Sequence, residues 1–244
     1  MDKTKMKIAS AQIRPVAQNT EANISNHLRV IEEAAEQGVS FILFPEMSLT
    51  GYELELAAEL AFEVTDQRLD IFAEKAKTYN MVIAAGAPVR IDGELYIGSF
   101  IFLPDGTMKV YTKQYLHVGE ERFFVSGLDR HVEVEWNNEK IAFAICADIV
   151  NPLHAEAASK TGTTLYAASI FYSTPTGIVE AYEQLSRYAR EYGMQVLMAN
   201  FTGVSYNLEA RGISAFWNKE GKLVKQLNEK EEGLLVVSTG GSEY

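Results

Sequence analysis

Short apolar runs recur along the chain, and most follow a segment of helical spacing that ends in Gly or Asn. Met6–Ile13 alternates well enough for a first strand. A helix follows, capped by Asn19 or Thr20, with Ile24, Leu28, Ile31 and Ala35 at helical spacing and Gly38 as its stop. Val39–Phe44 reads as a buried strand closed by Pro45, and Leu69–Lys77 as a second helix that stops at Asn80 before the strand Met81–Ala85. The same helix, stop and strand order returns at Gly162 (Thr163–Ala168) and Gly193 (Met194–Asn200). The intervals are unequal, which excludes a solenoid and points to one supersecondary unit reused in a layered α/β fold. Between these units lie Glu94–Leu103, the turn Pro104-Asp105-Gly106 and Met108–Thr112, a hairpin pattern; Ser214–Gln226, turning at Lys219-Glu220-Gly221, is a second. Gly233–Ser238 supplies a last strand. Hairpins among αβ units imply mixed sheets. No linker-like or low-complexity tract divides the sequence, so residues 1–244 are expected to form a single domain.

The most distinctive run is Lys140–Pro152. Ile141, Phe143 and Ile145 alternate with Ala142 and Ala144, so the strand is apolar on both faces, as in a sheet covered on both sides. Cys146, the one cysteine of 244 residues, ends it, and a helical run His154–Lys160 follows. A thiol at a strand-to-helix turn is placed to act as a nucleophile, with the positive helix N-terminus favouring thiolate. The competing reading is an inert buried cysteine packed as a small hydrophobe.

Composition narrows the class. An apolar fraction of 47% with 23% charged residues is ordinary globular composition. A formal net charge of −11 argues against a nucleic acid or an anionic membrane surface as partner. A lone cysteine allows no internal disulfide and fits a reducing, cytoplasmic location. No signal-peptide pattern or run of membrane-spanning length is seen. His, Cys and Asp nowhere show metal-ligand spacing, and no glycine-rich phosphate loop is present, so neither metal nor cofactor is expected.

Three polar side chains stand at the ends of apolar strands: Glu46 after Phe41-Ile42-Leu43-Phe44-Pro45, Lys113 after Met108–Thr112, and Cys146. Strand ends are where α/β sheets place their chemistry, although any one such charge taken alone reads as an ordinary solvated residue. Together they carry a resemblance. Phe44-Pro45-Glu46 followed by Gly51-Tyr52, then Tyr111-Thr112-Lys113 with Glu120 and Phe123-Phe124, then Ile145-Cys146-Ala147-Asp148 with Pro152, resemble in order and spacing the three signatures of the nitrilase superfamily, the carbon–nitrogen hydrolases. The resemblance runs from about residue 7 to 236, with Asn200, Gly203 and Gly212-Ile213-Ser214 agreeing as well.

The resemblance implies a four-layer αββα sandwich of two mixed sheets and a Glu–Lys–Cys triad: Cys146 as nucleophile, Glu46 as general base, Lys113 as electrostatic partner. It implies a second glutamate, placed by its spacing to Phe124 at Glu120 rather than Glu121. Tyr52, Ala147, Phe171 and Tyr172 are read as lining the substrate pocket, the last two equally well as core aromatics. Ala147 stands where a bulky residue is expected, and Leu153 where glutamate is common; both could reshape the pocket. Among the histidines, His27 is expected at the surface, His131 at the start of a strand, and His154 as the base of a rival Cys–His arrangement. The reading is a cofactor-free thiol hydrolase of a small carboxamide or carbamoyl compound, working through a thioester, with water as co-substrate. A nitrilase or a non-catalytic binding member are the alternatives. The resemblance also implies a homodimer or higher homo-oligomer, for which the helix Ile178–Leu185 is a candidate surface.

Overall fold

A computed structural model describes residues 5–127 and 132–240. Its strands are β1 (Lys7–Gln12), β2 (Phe41–Leu43), β3 (Phe62–Glu63), β4 (Val82–Ile91), β5 (Glu94–Phe102), β6 (Met108–Thr112), β7 (Glu133–Trp136), β8 (Glu139–Ile145), β9 (Leu165–Ser169), β10 (Gln195–Ala199), β11 (Thr202–Ser205), β12 (Leu208–Arg211), β13 (Ala215–Trp217), β14 (Leu223–Gln226) and β15 (Gly233–Ser238). The helices are α1 (Thr20–Glu36), α2 (Ala57–Leu60), α3 (Asp70–Tyr79), α4 (Pro152–Lys160) and α5 (Pro175–Tyr192). Among the described residues the strands form a seven-stranded sheet ordered β15-β1-β2-β4-β5-β6, with β3 beside β4. A six-stranded sheet runs β14-β13-β10-β9-β8-β7, and β11 and β12 make a separate hairpin. Both large sheets are mixed: β1, β2, β3 and β4 are parallel, as are β8, β9 and β10, while β15, β5, β6, β7, β13 and β14 pair antiparallel with their neighbours.

The sheets pack face to face where β1 and β2 meet β10. Two small hydroxyls on the inner faces tie them. Ser10 Oγ donates to the Met198 carbonyl at 2.7 Å, and Ser169 Oγ donates to the Phe44 carbonyl at 2.8 Å. Helices α1 and α3 cover the outer face of the first sheet, and α4 and α5 that of the second. The result is the αββα order, and it explains why β2, β8, β9 and β10 are apolar on both faces.

Local signals explain the boundaries. Asn19 caps α1 by accepting from Ala22 N at 3.0 Å. Asn80 and Gly193 close α3 and α5 in left-handed conformation. Three expectations need correction. Strand β4 runs on past Ala85 through Gly86 and Pro88 to Ile91, because it pairs along its whole length with β5. His27 is not at the surface: α1 buries Asn23, His27, Val30, Ile31 and Ala34, leaving Ile24, Leu28 and Ala35 half-buried. On α5, Ile178, Ala181 and Leu185 pack inward, so of the proposed pairing surface only Val179 is an exposed aliphatic residue. His131 lies outside the described residues.

Candidate active site

Glu46 follows β2 in a tight turn, Lys113 follows β6, and Cys146 follows β8, so three strands from the two sheets deliver one polar group each to a common point. All are shielded: Lys113 is fully buried, Glu46 and Glu120 nearly so, and Cys146 is 7% exposed. Lys113 Nζ donates to Glu46 Oε1 at 2.7 Å and to Glu120 Oε1 at 2.8 Å. Hydrogen bonds thus join Glu46, Lys113 and Glu120, from the first two motifs, and the charges of all three act on the Cys146 thiol.

The two glutamates differ in how they are occupied. Glu120, in the short 3-10 turn Glu120–Arg122, accepts from Lys113, from Tyr52 Oη at 2.5 Å and, through Oε2, from His117 N at 2.7 Å. Glu46 accepts from Lys113 through Oε1; its buried Oε2 meets no partner at ordinary hydrogen-bond distance, and the Cys146 thiol lies near enough to act on the carboxyl as a weak donor. Burial pushes the Glu46 carboxyl up to about 7; the Lys113 ammonium pulls it down, and Glu120 pushes it up again. Burial works against the Lys113 charge, but Glu46, Cys146 and Glu120 outweigh it and hold the ammonium well above its ordinary range. Tyr52 stays a phenol, held up by burial and by both carboxylates.

Cys146 has φ +43°, a left-handed conformation for a residue with a side chain, and so turns sharply out of the strand. Its Sγ lies 3.9 Å from the Phe171 carbonyl oxygen. The expected thiolate is not favoured here: burial, then the Glu46 carboxylate, push the thiol well up. The helix dipole argument fails on placement, because a 3-10 turn, Cys146–Val150, separates the sulfur from α4. The resting pair is a thiol beside a carboxylate.

Of the pocket residues, Tyr52 and Phe171 stack in tilted fashion at 4.9 Å, and Tyr172 is close enough for Cys146 and Glu46 to add to the effect of burial on its hydroxyl. Ala147 is buried beside the sulfur, whereas Leu153 is 61% exposed on α4. His154 is also corrected. It is buried, and its ring nitrogens meet Tyr166 Oη at 2.7 Å and Tyr111 Oη at 2.8 Å, which takes them out of the role of base to Cys146.

One residue was present in the motif without a role. Asp148 Oδ1 accepts from the backbone N–H of Gln114 (3.0 Å) and Tyr115 (2.8 Å). Its Oδ2 accepts from Ile145 N (2.8 Å) and Tyr111 Oη (2.7 Å). It thereby ties the loop after Lys113 to the end of the strand before Cys146. The hairpin β11–β12 closes another side: Ser205 Oγ accepts from Tyr52 N at 3.0 Å, and Tyr206 packs on the Tyr52 ring. A groove of about 810 Å³ between α1 and the start of β15 shares no lining residue with this site.

Similar architecture is found among known proteins. The structure of a cysteine-to-alanine variant of the amidase from Nesterenkonia sp. AN1 in complex with butyramide superimposes with a TM-score of 0.87 at 22% identity, covering 98% of this chain and 92% of that one. A glutamine-dependent NAD(+) synthetase of Thermotoga maritima is 24% identical over 96% of this chain, which spans only 42% of that protein. A nitrilase of Pyrococcus abyssi is 24% identical, over 93% of this chain and 87% of its own length. The model of the carbon–nitrogen hydrolase family matches residues 7–239, a span that holds every strand and helix described above, and the chain belongs to that family.

Proposed function

We propose that the protein hydrolyses a non-peptide C–N bond in a small carboxamide or carbamoyl compound through a thioester on Cys146. The observation that carries this reading is Glu46, one oxygen anchored on Lys113 and the other without a partner at ordinary hydrogen-bond distance, with a carboxyl poised at about 7 beside a thiol. A general base works best when its pKa lies near the working pH. In the first half-reaction Glu46 takes the Cys146 proton as sulfur attacks the carbonyl carbon. Lys113 and the backbone N–H of Ala147 serve the oxyanion. Glu46 returns the proton to the departing nitrogen, the C–N bond breaks, and ammonia or an amine leaves. Glu46 then deprotonates a water, which attacks the thioester and releases the acid and the thiol. Glu120, its oxygens already taken by three donors, orients Lys113 rather than moving protons.

The site is nearly closed, which supports a small substrate. The relative named a nitrilase favours nitriles as the second reading, and the glutamine-dependent relative puts glutamine on the list of amides to try. We extend the reading to a cytoplasmic homodimer, with exposed Val150, Leu153 and Val179 on the α4–α5 layer as the surface to probe by light scattering.

The test is a panel of small amides, carbamoyl compounds and nitriles with wild type, Cys146→Ala, Glu46→Gln and Glu120→Gln, followed by intact mass. Glu46→Gln keeps the shape but cannot take a proton, so turnover should fall by several orders of magnitude. Glu120→Gln should lose less and accumulate acyl-enzyme. A dead Glu120→Gln beside a near-normal Glu46→Gln reverses the two roles. No turnover on any of the panel, or full activity in Cys146→Ala, rejects the reading.

A further inference from the structure

The turn that carries Glu46 is strained and needs support. Met47, its next residue, has φ +50°, a conformation that costs a side-chain-bearing residue energy. From beneath, the turn presses on Gly86 of β4: a Cβ there would lie 2.5 Å from Met47 N and 2.6 Å from the Pro45 carbonyl oxygen. From behind, it meets α1. The imidazole of His27 stacks on the Phe44 ring at 4.1 Å, two residues before Glu46, and its Nε2 lies 2.9 Å from Ser48 Oγ, two residues after.

The hydrogen-bond roles here follow from chemistry. His27 Nδ1 is 2.7 Å from the Asn23 carbonyl oxygen, which only accepts, so Nδ1 carries the proton. In the neutral ring Nε2 is then an acceptor, and Ser48 O–H must donate to it. That leaves Ser48 Oγ free to accept from Gly86 N at 3.3 Å. Burial lowers the His27 pKa to about 4, against a smaller opposing effect of the Asn23 carbonyl, so the ring is neutral at ordinary pH. One turn of α1 earlier, Asn23 Nδ2 donates to the Leu49 carbonyl at 3.3 Å.

We infer that His27 is a positioning residue for Glu46: through its stacking on Phe44 and its bond from Ser48 it grips the chain on both sides of the base and fixes where the free carboxylate oxygen points. This rests on Glu46 being the base. His27 does not touch substrate; it acts through Ser48 and the turn. A histidine in a helix core with only a structural part would cost stability when altered and leave kcat alone at temperatures well below unfolding.

The experiment compares wild type with Ser48→Ala, His27→Leu and His27→Gln on one good amide substrate, with the Tm of each variant measured. Ser48→Ala, which removes a single oxygen, and His27→Leu should lower kcat about tenfold or more with KM within about twofold, and displace the rising limb of the pH profile. His27→Gln, whose side-chain oxygen can accept from Ser48, should recover most of that loss. If both Ser48→Ala and His27→Leu keep kcat within about twofold of wild type and the same pH limb, the inference is wrong, whatever happens to Tm. A His27→Leu chain that does not fold leaves Ser48→Ala to decide. On unmodified protein, the long-range proton–nitrogen spectrum of the imidazoles should show His27 as the Nδ1–H tautomer; an Nε2–H tautomer overturns the inference without any variant. Should the wild type hydrolyse nothing on the panel, the functional reading fails separately. The same variants are then read by the rate and pH midpoint of Cys146 alkylation by iodoacetamide, which reports proton transfer to Glu46 without turnover.

Discussion

Asp148→Asn tests the tie between the lysine loop and the cysteine strand with almost no change in volume. The carboxylate is fully buried and takes four donors, two on each oxygen. An amide has one accepting oxygen, so two donors must face an NH2 whichever way it turns. In the better orientation the oxygen stays on Gln114 N–H and Tyr115 N–H. The Tyr111 hydroxyl can rotate to accept, but the Ile145 N–H cannot move and is left without a partner. One orphaned buried N–H costs about 1–3 kcal/mol, and two further bonds lose their charge assistance. The sum is about 3 kcal/mol, which for a chain of this length lowers Tm by about 6–12 °C. The kinetic effect has its own source. Ile145 is the neighbour of Cys146 and Gln114 that of Lys113, and a displacement of order 1 Å between reacting groups costs about 100-fold in rate. Thermal unfolding and kcat on one substrate are the two measurements. A variant within about 2 °C of wild type in Tm and about threefold in kcat would show that the two loops hold their places without Asp148.

Other consequences are open to direct measurement. Because the Glu46 carboxyl sits at about 7, kcat/KM should rise with pH through that value, and Glu46→Gln should abolish the limb along with the activity; a limb centred near an ordinary carboxylate value contradicts the desolvated base. His27 has a folded-state pKa of about 4, below its unfolded value of 6.5, so its contribution to stability is fully present above 6.5 and is lost as pH falls towards 4. Wild type should therefore lose about 1.5 kcal/mol more than His27→Gln on going from pH 6.5 to 5, read from urea midpoints; parallel curves refute it. Gly86→Ala drives a methyl into the backbone beneath Glu46, so stability should fall by about 1–3 kcal/mol and kcat with it, and an unchanged kcat would mean the turn has room to rise.

Much of this architecture is legible along the chain because its signals are local. Asn19, Asn80 and Gly193 punctuate the helices as their chemistry demands, and Glu46, Lys113 and Cys146 stand out because each interrupts the end of an apolar run. What escapes is whatever depends on distant partners. Nothing in Lys7–Gln12 shows that its edge is taken by Gly233–Ser238 from the far end of the chain. Strand β12, Leu208–Arg211, is too short and too polar to show alternation. The burial of His27 escapes because helical periodicity counts polarity, and a buried ring with both nitrogens bonded looks polar. Asp148 had no visible role because three of its four donors are backbone N–H groups, two of them more than thirty positions away. The thiolate expectation assumed a helix end at the sulfur, where the chain instead makes a 3-10 turn in a dry site.

The left-handed backbone at Cys146 bears on what counts as intact protein. A residue with a side chain holds that conformation only while its surroundings enforce it, at a cost of order 1–3 kcal/mol. The neighbouring Met47 beside Glu46 is held the same way. Slackening in the packing around these two corners lets them relax towards ordinary geometry while the sheets and helices keep their hydrogen bonds. A preparation can then look native by circular dichroism and be inert. For this chain the fraction of protein able to react with a mechanism-based thiol reagent, counted on its single cysteine, is a stricter assay of shelf life than any measure of secondary structure.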